Sequence, residues 1–131
     1  MQQKNLFWNV WWVCDLVFRF NSEAESRKWL ETLTDKRVQL YGYTLLYIKS
    51  GKMKEAKESL AKMIERFPNT YYAIAVLFST MGEPEMAMDW LEKAYLNKNK
   101  LVLYINVDPE FKKLRDNIRF RKIIERMNFP K

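Results

Sequence analysis

A chain of 131 residues with 3 glycines, 4 prolines and no histidine is ill suited to a turn-rich β-sandwich, and it lacks the commonest general base and metal ligand. Its single cysteine, Cys14, allows no intrachain disulfide and no thiolate metal cluster, which fits a cytoplasmic setting. A net charge of +7 leaves acidic partners open, while 48% hydrophobic residues, 15% of the chain being aromatic, can build the core of one domain.

The first apolar stretch, LFWNVWWVCDLVFRF at 6–20, is too short for a membrane span, which needs about 20 apolar residues. Asn9, Asp15 and Arg19 interrupt it, and FRFNSEAES after it is a poor signal-peptide cleavage site. The stretch therefore reads as a helix packed on protein. A second helix is expected over SEAESRKWLETL, with Ser22 as N-cap, Glu25 completing a capping box and Asn21 in the turn before it.

In 37–67, Leu40, Tyr43, Tyr47 and Ile48 recur at helical spacing, and so do Met53, Ala56, Leu60, Met63 and Ile64. Gly51 lies between the two runs, where a left-handed residue would end the first helix, and Pro68 cannot continue the second. The unit is thus helix, tight turn, helix. Residues 68–98 repeat it: TYYAIAVLFSTMG is the first helix and EPEMAMDWLEKAYLN the second, with Pro84 at the N-terminal position that tolerates a missing N–H. Small Ala56 and Ala87 belong where paired helices cross closely, and Leu60 and Leu91 fill the space one turn on.

After the second unit, Leu101, Leu103, Tyr104 and Ile105 supply apolar matter for one short helix, and Asp108-Pro109 starts a turn. Phe120, Ile123, Ile124 and Met127 form the stripe of a closing amphipathic helix ringed by Arg119, Arg121, Lys122 and Arg126. The last 22 residues hold 8 basic and 3 acidic side chains. The ordinary reading of such a run is the solvated face of a terminal helix; no base-reading motif accompanies it.

Aligned on Gly51 and Gly82, the two units share one pattern, and a fainter copy precedes them with Ser26, Leu30 and Leu33 in the places of Ala56, Leu60 and Met63. Leu40, Tyr43, Tyr47, Gly51, Ala56, Leu60 and Pro68 resemble the signature of the tetratricopeptide repeat, departing at Thr44 and Met63, where that family prefers smaller residues. The tail, with Asp108-Pro109-Glu110-Phe111, Leu114-Arg115, Arg119-Phe120 and Arg126-Met127, resembles the closing segment of a bacterial group of such proteins found in signalling and regulatory chains. Asn117-Ile118 stands where that group has Asp-Pro. The resemblance implies an all-α, right-handed superhelix of antiparallel helix pairs. One domain, 1–131, would hold a degenerate repeat at 1–36, repeats at 37–67 and 68–99, and capping helices at 100–131.

Catalysis finds no support. Without histidine a Ser-His-Asp or Cys-His arrangement is impossible, and three isolated glycines make no phosphate loop. Cys14 sits in apolar surroundings that raise a thiol pKa, and Glu83, Glu85, Glu55 and Glu58 read as solvated carboxylates near helix starts. No cofactor or metal is implied. The expected function is a non-catalytic protein–protein interaction module, and the resemblance places the partner-binding groove on Trp8, Trp11, Phe18, Arg19, Val38, Tyr41, Leu45, Ile48, Lys49, Asn69, Tyr72 and Val76. Aromatic and arginine side chains are the types that dominate binding hot spots, and the groove suits an apolar or amphipathic peptide. A clamp for acidic C-termini is set aside, because its asparagine positions hold Asp15, Leu45 and Val76. Three other readings stand beside it: a homodimer through the Trp-rich stretch, a groove filled by the chain's own last helix, and nucleic-acid binding by the 112–126 basic face.

Overall fold

The computed structural model describes residues 22–127, and every regular element in them is helical. The helices are α1 (Glu23–Leu30), α2 (Lys36–Lys49), α3 (Met53–Arg66), α4 (Tyr71–Thr80), α5 (Pro84–Leu96) and α6 (Ile118–Met127), with 3₁₀ helices at Lys100–Tyr104 and Pro109–Leu114. The all-α expectation holds. Trp8, Trp11, Phe18 and Arg19, together with the helix expected at 6–20 and Asn21, lie outside the described residues. Internal contacts divide the chain into two compact units, Met1–Asn69 and Thr70–Lys131.

In the first unit α2 and α3 form a hairpin. Gly51 closes α2 with φ +77°, its N–H bonded to Ile48 O and the Lys52 N–H to Tyr47 O, which is a Schellman cap. Ala56, Leu60 and Met63 of α3 are buried at the helix contact, as the spacing predicts. Thr44, the departure from the repeat signature, has its hydroxyl 2.6 Å from that of Ser59 and also donates to Leu40 O at 2.9 Å. Both residues are buried, so each hydroxyl answers the other across the hairpin. Thr44→Val should therefore lower stability by about 1–3 kcal/mol, because it strands the Ser59 hydroxyl, and adding Ser59→Ala should restore most of the loss in urea unfolding.

Helix α1 is shorter than expected. Ser22 caps it, accepting the Glu25 N–H at 3.3 Å, and Ser26 and Leu30 are buried as the fainter repeat predicts. It stops at Leu30, leaving Leu33 half-buried in the connection. Thr32 turns its hydroxyl back to Trp29 O at 2.6 Å, and the Asp35 side chain accepts from the Arg37 and Val38 N–H groups to start α2. Two residues with strong local hydrogen-bonding preferences thus end one helix and begin the next.

The second unit repeats the hairpin. Gly82 caps α4 at φ +84° with the same pair of bonds, Gly82 N–H to Ser79 O and Glu83 N–H to Phe78 O, and α5 begins on Pro84. Ala87, Leu91 and Ala94 are buried against α4. Helix α5 ends in a third Schellman cap, with Lys98 N–H to Tyr95 O and Asn99 N–H to Ala94 O, but its left-handed residue is Lys98, at φ +55°. A Cβ in that conformation is strained, so Lys98→Gly should stabilise the unit by about 1 kcal/mol, visible as a raised Tm.

Beyond α5 the buried residues recur every third position: Val102, Ile105, Asp108, Phe111 and Leu114. A 3₁₀ helix has three residues per turn, which sets Val102 inward in the first short helix and Phe111 and Leu114 inward in the second, while Ile105 and Asp108 keep the spacing in the turn between them. The one short helix expected here is present as Lys100–Tyr104, but its inward residues differ from the expected apolar set. Leu103 and Tyr104 point outward, and Val102 and Ile105 do the packing. Asn117 takes the capping role expected of an aspartate, accepting the Arg119 N–H at 2.9 Å, and α6 buries Phe120 and Ile123 on its predicted stripe.

Candidate partner-binding site

Tyr41, Val38 and Leu45 lie on the inner side of α2 and are buried; Leu40, Tyr43 and Tyr47 lie on another side and keep part of their surface. These last three face α1 and α3 across a cleft of about 260 Å³, completed by Arg27 of α1 and by Glu55, Glu58, Ser59 and Lys62 of α3. The Arg27 guanidinium stands 5.5 Å from the Tyr43 ring centroid and 5.6 Å from that of Tyr47, within cation–π range of both. Its far side pairs with Glu23 at 3.3 Å, and Glu23 also takes Lys52 Nζ at 2.9 Å. Lys52 first, then Arg27, hold the Glu23 carboxyl below its usual range. Burial, and then the Glu31 charge, push the Tyr43 phenol above its own. Tyr43 is thus a neutral hydroxyl at physiological pH, beside a guanidinium fixed in place. The cleft can bind by stacking and by donating hydrogen bonds, and among the described residues no group of metal-ligating side chains forms.

Helix α4 carries the second half of the expected groove. Tyr72, Val76, Ser79 and Thr80 share one side of it, and the chain's own tail engages that side. The Tyr72 hydroxyl donates to Asp108 Oδ2 at 2.6 Å, Ser79 Oγ to Glu110 O at 3.0 Å, and Thr80 Oγ1 to Glu110 Oε1 at 3.4 Å. The Phe111 ring stands edge-on to Tyr72 at 5.3 Å and tilted against Phe120 at 6.3 Å. Burial, with the Asp108 carboxylate adding to it, pushes the Tyr72 phenol far up, and burial followed by Asp108 raises Glu110. The segment on this side is the 108–114 turn, where the sequence had offered the last helix as the candidate.

A partner meets exposed atoms. Of the described groove residues, Val38, Tyr41, Leu45, Tyr72 and Val76 are buried, Ile48 is half-buried, and Lys49 and Asn69 are exposed. The signature that located the helices did not mark Arg27, because the arginine comes from the fainter copy and reaches two rings belonging to the next one.

Part of the basic tail is used internally. Arg119 of α6 binds Glu85 at 3.1 Å, Asp89 at 2.7 Å and Glu92 at 2.8 Å, three acids along one face of α5, and Arg121 pairs with Asp116 at 3.2 Å. Glu85, read from sequence as a solvated carboxylate, is 71% exposed and also pairs with Arg119. Arg119 holds the Glu92 carboxyl below its usual 4.5, so this contribution is present above that pH and is lost as pH falls through the lowered value. Arg119→Ala should cost about 1–2 kcal/mol at neutral pH and low salt, leaving three acids to repel one another, and urea titrations should show the loss shrinking in acid and in high salt.

The sequence model of the tetratricopeptide repeat family matches residues 41–70 and 68–100. The matches meet where the two compact units divide. Comparison with curated proteins and comparison with solved structures each returned no match. No helix among the described residues is long and apolar enough to cross a membrane.

Proposed function

Because the chain is a tetratricopeptide-repeat protein, with its repeats at 41–70 and 68–100, we propose that it is a non-catalytic interaction module gripping a partner peptide at the cleft between α1, α2 and α3. Such repeats generally mediate protein–protein interaction. The observation that carries the reading is Arg27 held over Tyr43 and Tyr47 at the mouth of that cleft. Arginine and tyrosine, ordered before the partner arrives, lose little side-chain freedom on binding and form strong contacts. Ile48, Lys49 and Asn69 remain as accessible contacts of the same unit. The Asp108-Pro109-Glu110-Phe111 resemblance supports a place within or beside a bacterial signalling or regulatory protein. Self-association through 6–20 concerns residues outside those described, and light scattering separates it from peptide binding.

The test is a selection of peptides from a random display library on the immobilised chain, followed by anisotropy titrations of the recovered sequences. Arg27→Ala and Tyr47→Ala should each weaken binding at least about tenfold. Lys122→Ala, on exposed α6 surface, should leave it unchanged. Selected peptides that bind both cleft variants as tightly as the native chain would overturn the reading.

A further inference from the structure

The surface of residues 93–115 presents one sign of charge. Lys93, Lys98, Lys100, Lys112, Lys113 and Arg115 are all exposed. Of the two acids in this stretch, Asp108 is buried against the Tyr72 hydroxyl, and the half-buried Glu110 carboxylate takes a bond from Thr80.

Amid those cations the 3₁₀ helix Lys100–Tyr104 turns apolar side chains to solvent. Residues three apart stack on one side of such a helix. Val102 and Ile105 are buried, so within the helix Leu103 falls in line with Lys100, while Val107 lies in the turn that follows Tyr104. Leu103 and Val107 are 63% and 64% exposed, and Tyr104 39%. Exposed apolar side chains in a stretch of exposed cations combine the two kinds of contact an interface uses.

We infer that exposed Leu103, Tyr104 and Val107, with exposed Lys98, Lys100 and Lys113 of the same 98–113 stretch, form a docking surface for an acidic amphipathic helix of a partner protein. Charge complementarity selects the occupant. Six exposed cations against one half-buried carboxylate, Glu110, attract a helix rich in Glu and Asp and repel a basic one. The apolar side chains of one short turn match the stripe such a helix presents at i, i+3, i+4 and i+7. A bilayer is met by a longer amphipathic face than a single 3₁₀ turn provides. The surface lies wholly in the second unit, and the Arg27 cleft lies in the first.

The test uses a fluorescent designed helix with Glu on its polar face and Leu at i, i+3, i+4 and i+7. A scrambled peptide of the same composition, a Lys-for-Glu version, and equimolar phosphatidylcholine–phosphatidylserine vesicles serve as comparisons. The Glu helix should bind the native chain, and neither the scrambled nor the Lys peptide should. Leu103→Ser with Val107→Ser, and separately Lys100→Glu with Lys113→Glu, should each weaken binding at least about tenfold. All four positions are exposed, so both variants should keep the native circular dichroism spectrum. The proposal is overturned if the Glu helix fails to bind, binds both variants as well as the native chain, or binds no better than its scrambled form. Vesicle binding without helix binding would assign the surface to a membrane and overturn it equally.

Discussion

Phe111→Ala is expected to lower the stability of the chain by about 3–5 kcal/mol, with urea unfolding as the measurement. The ring is fully buried, meets Tyr72 edge-on and Phe120 at a tilt, and is the fourth of the five inward residues in 102–114. Deleting it removes the apolar transfer free energy and leaves a cavity whose walls belong to three elements, α4, the 3₁₀ helix and α6. Those walls cannot all collapse inward, because Asp108 on one side is tied to Tyr72 and Arg119 on the other is tied to α5. Phe111→Leu, which keeps most of the volume, should lose well under half as much. A Phe111→Ala loss below about 1 kcal/mol would mean that the tail is only loosely attached and that α4 is covered by something else.

Which parts of this were legible in the sequence follows from period. Helical hairpins repeat their small and large residues at 3.6-residue spacing, so Ala56 with Leu60 and Ala87 with Leu91 announced the two crossings, and Gly51 and Gly82 announced the turns between them. All six behave in the structure as their positions require. The tail was misread because its period is three. Leu101, Leu103, Tyr104 and Ile105 look like a single apolar cluster, and only the regular burial of Val102, Ile105, Asp108, Phe111 and Leu114 shows which side is inward. The position of Asp108, three residues after Ile105 and three before Phe111, was the signal available in advance. It breaks an apolar pattern at a fixed spacing, and a carboxylate there requires a donor from elsewhere in the chain.

The site was less legible than the fold for a related reason. Groove positions carried over from a repeat signature state which way a residue points on its helix, but not what the rest of the chain lays over it. Tyr72 was expected to face a partner, and it instead holds Asp108 of its own chain. Arg27 carries no signature at all. Its contacts are with two tyrosines, Tyr43 and Tyr47, that belong to the following repeat, and no local pattern links an arginine to rings so placed. The stripe Glu85, Asp89, Glu92 was readable as a face of α5, yet the single arginine that it awaits lies in α6.

Tyr72→Phe is the second large effect expected, about 2–4 kcal/mol, and it arises from one oxygen atom. Asp108 is 1% exposed, and its two carboxylate oxygens divide the work. Oδ1 accepts the Glu110 N–H at 3.0 Å and starts the 3₁₀ helix, while Oδ2 accepts the Tyr72 hydroxyl at 2.6 Å. The phenol, its pKa pushed far up by burial and by the carboxylate, stays protonated at every pH at which the chain is handled, so it is a permanent donor. Removing it keeps the ring packing on Phe111 but leaves one side of a buried charge without its short bond. The test of this cause is the paired change. Asp108→Asn added to Tyr72→Phe removes the charge, retains an acceptor for the Glu110 N–H, and should recover about half of the loss. A double-mutant cycle in urea with no coupling between the two positions would show that the bond is incidental. Strong coupling would establish that this contact fixes the tail to α4, and with it which side of the second unit any partner can reach.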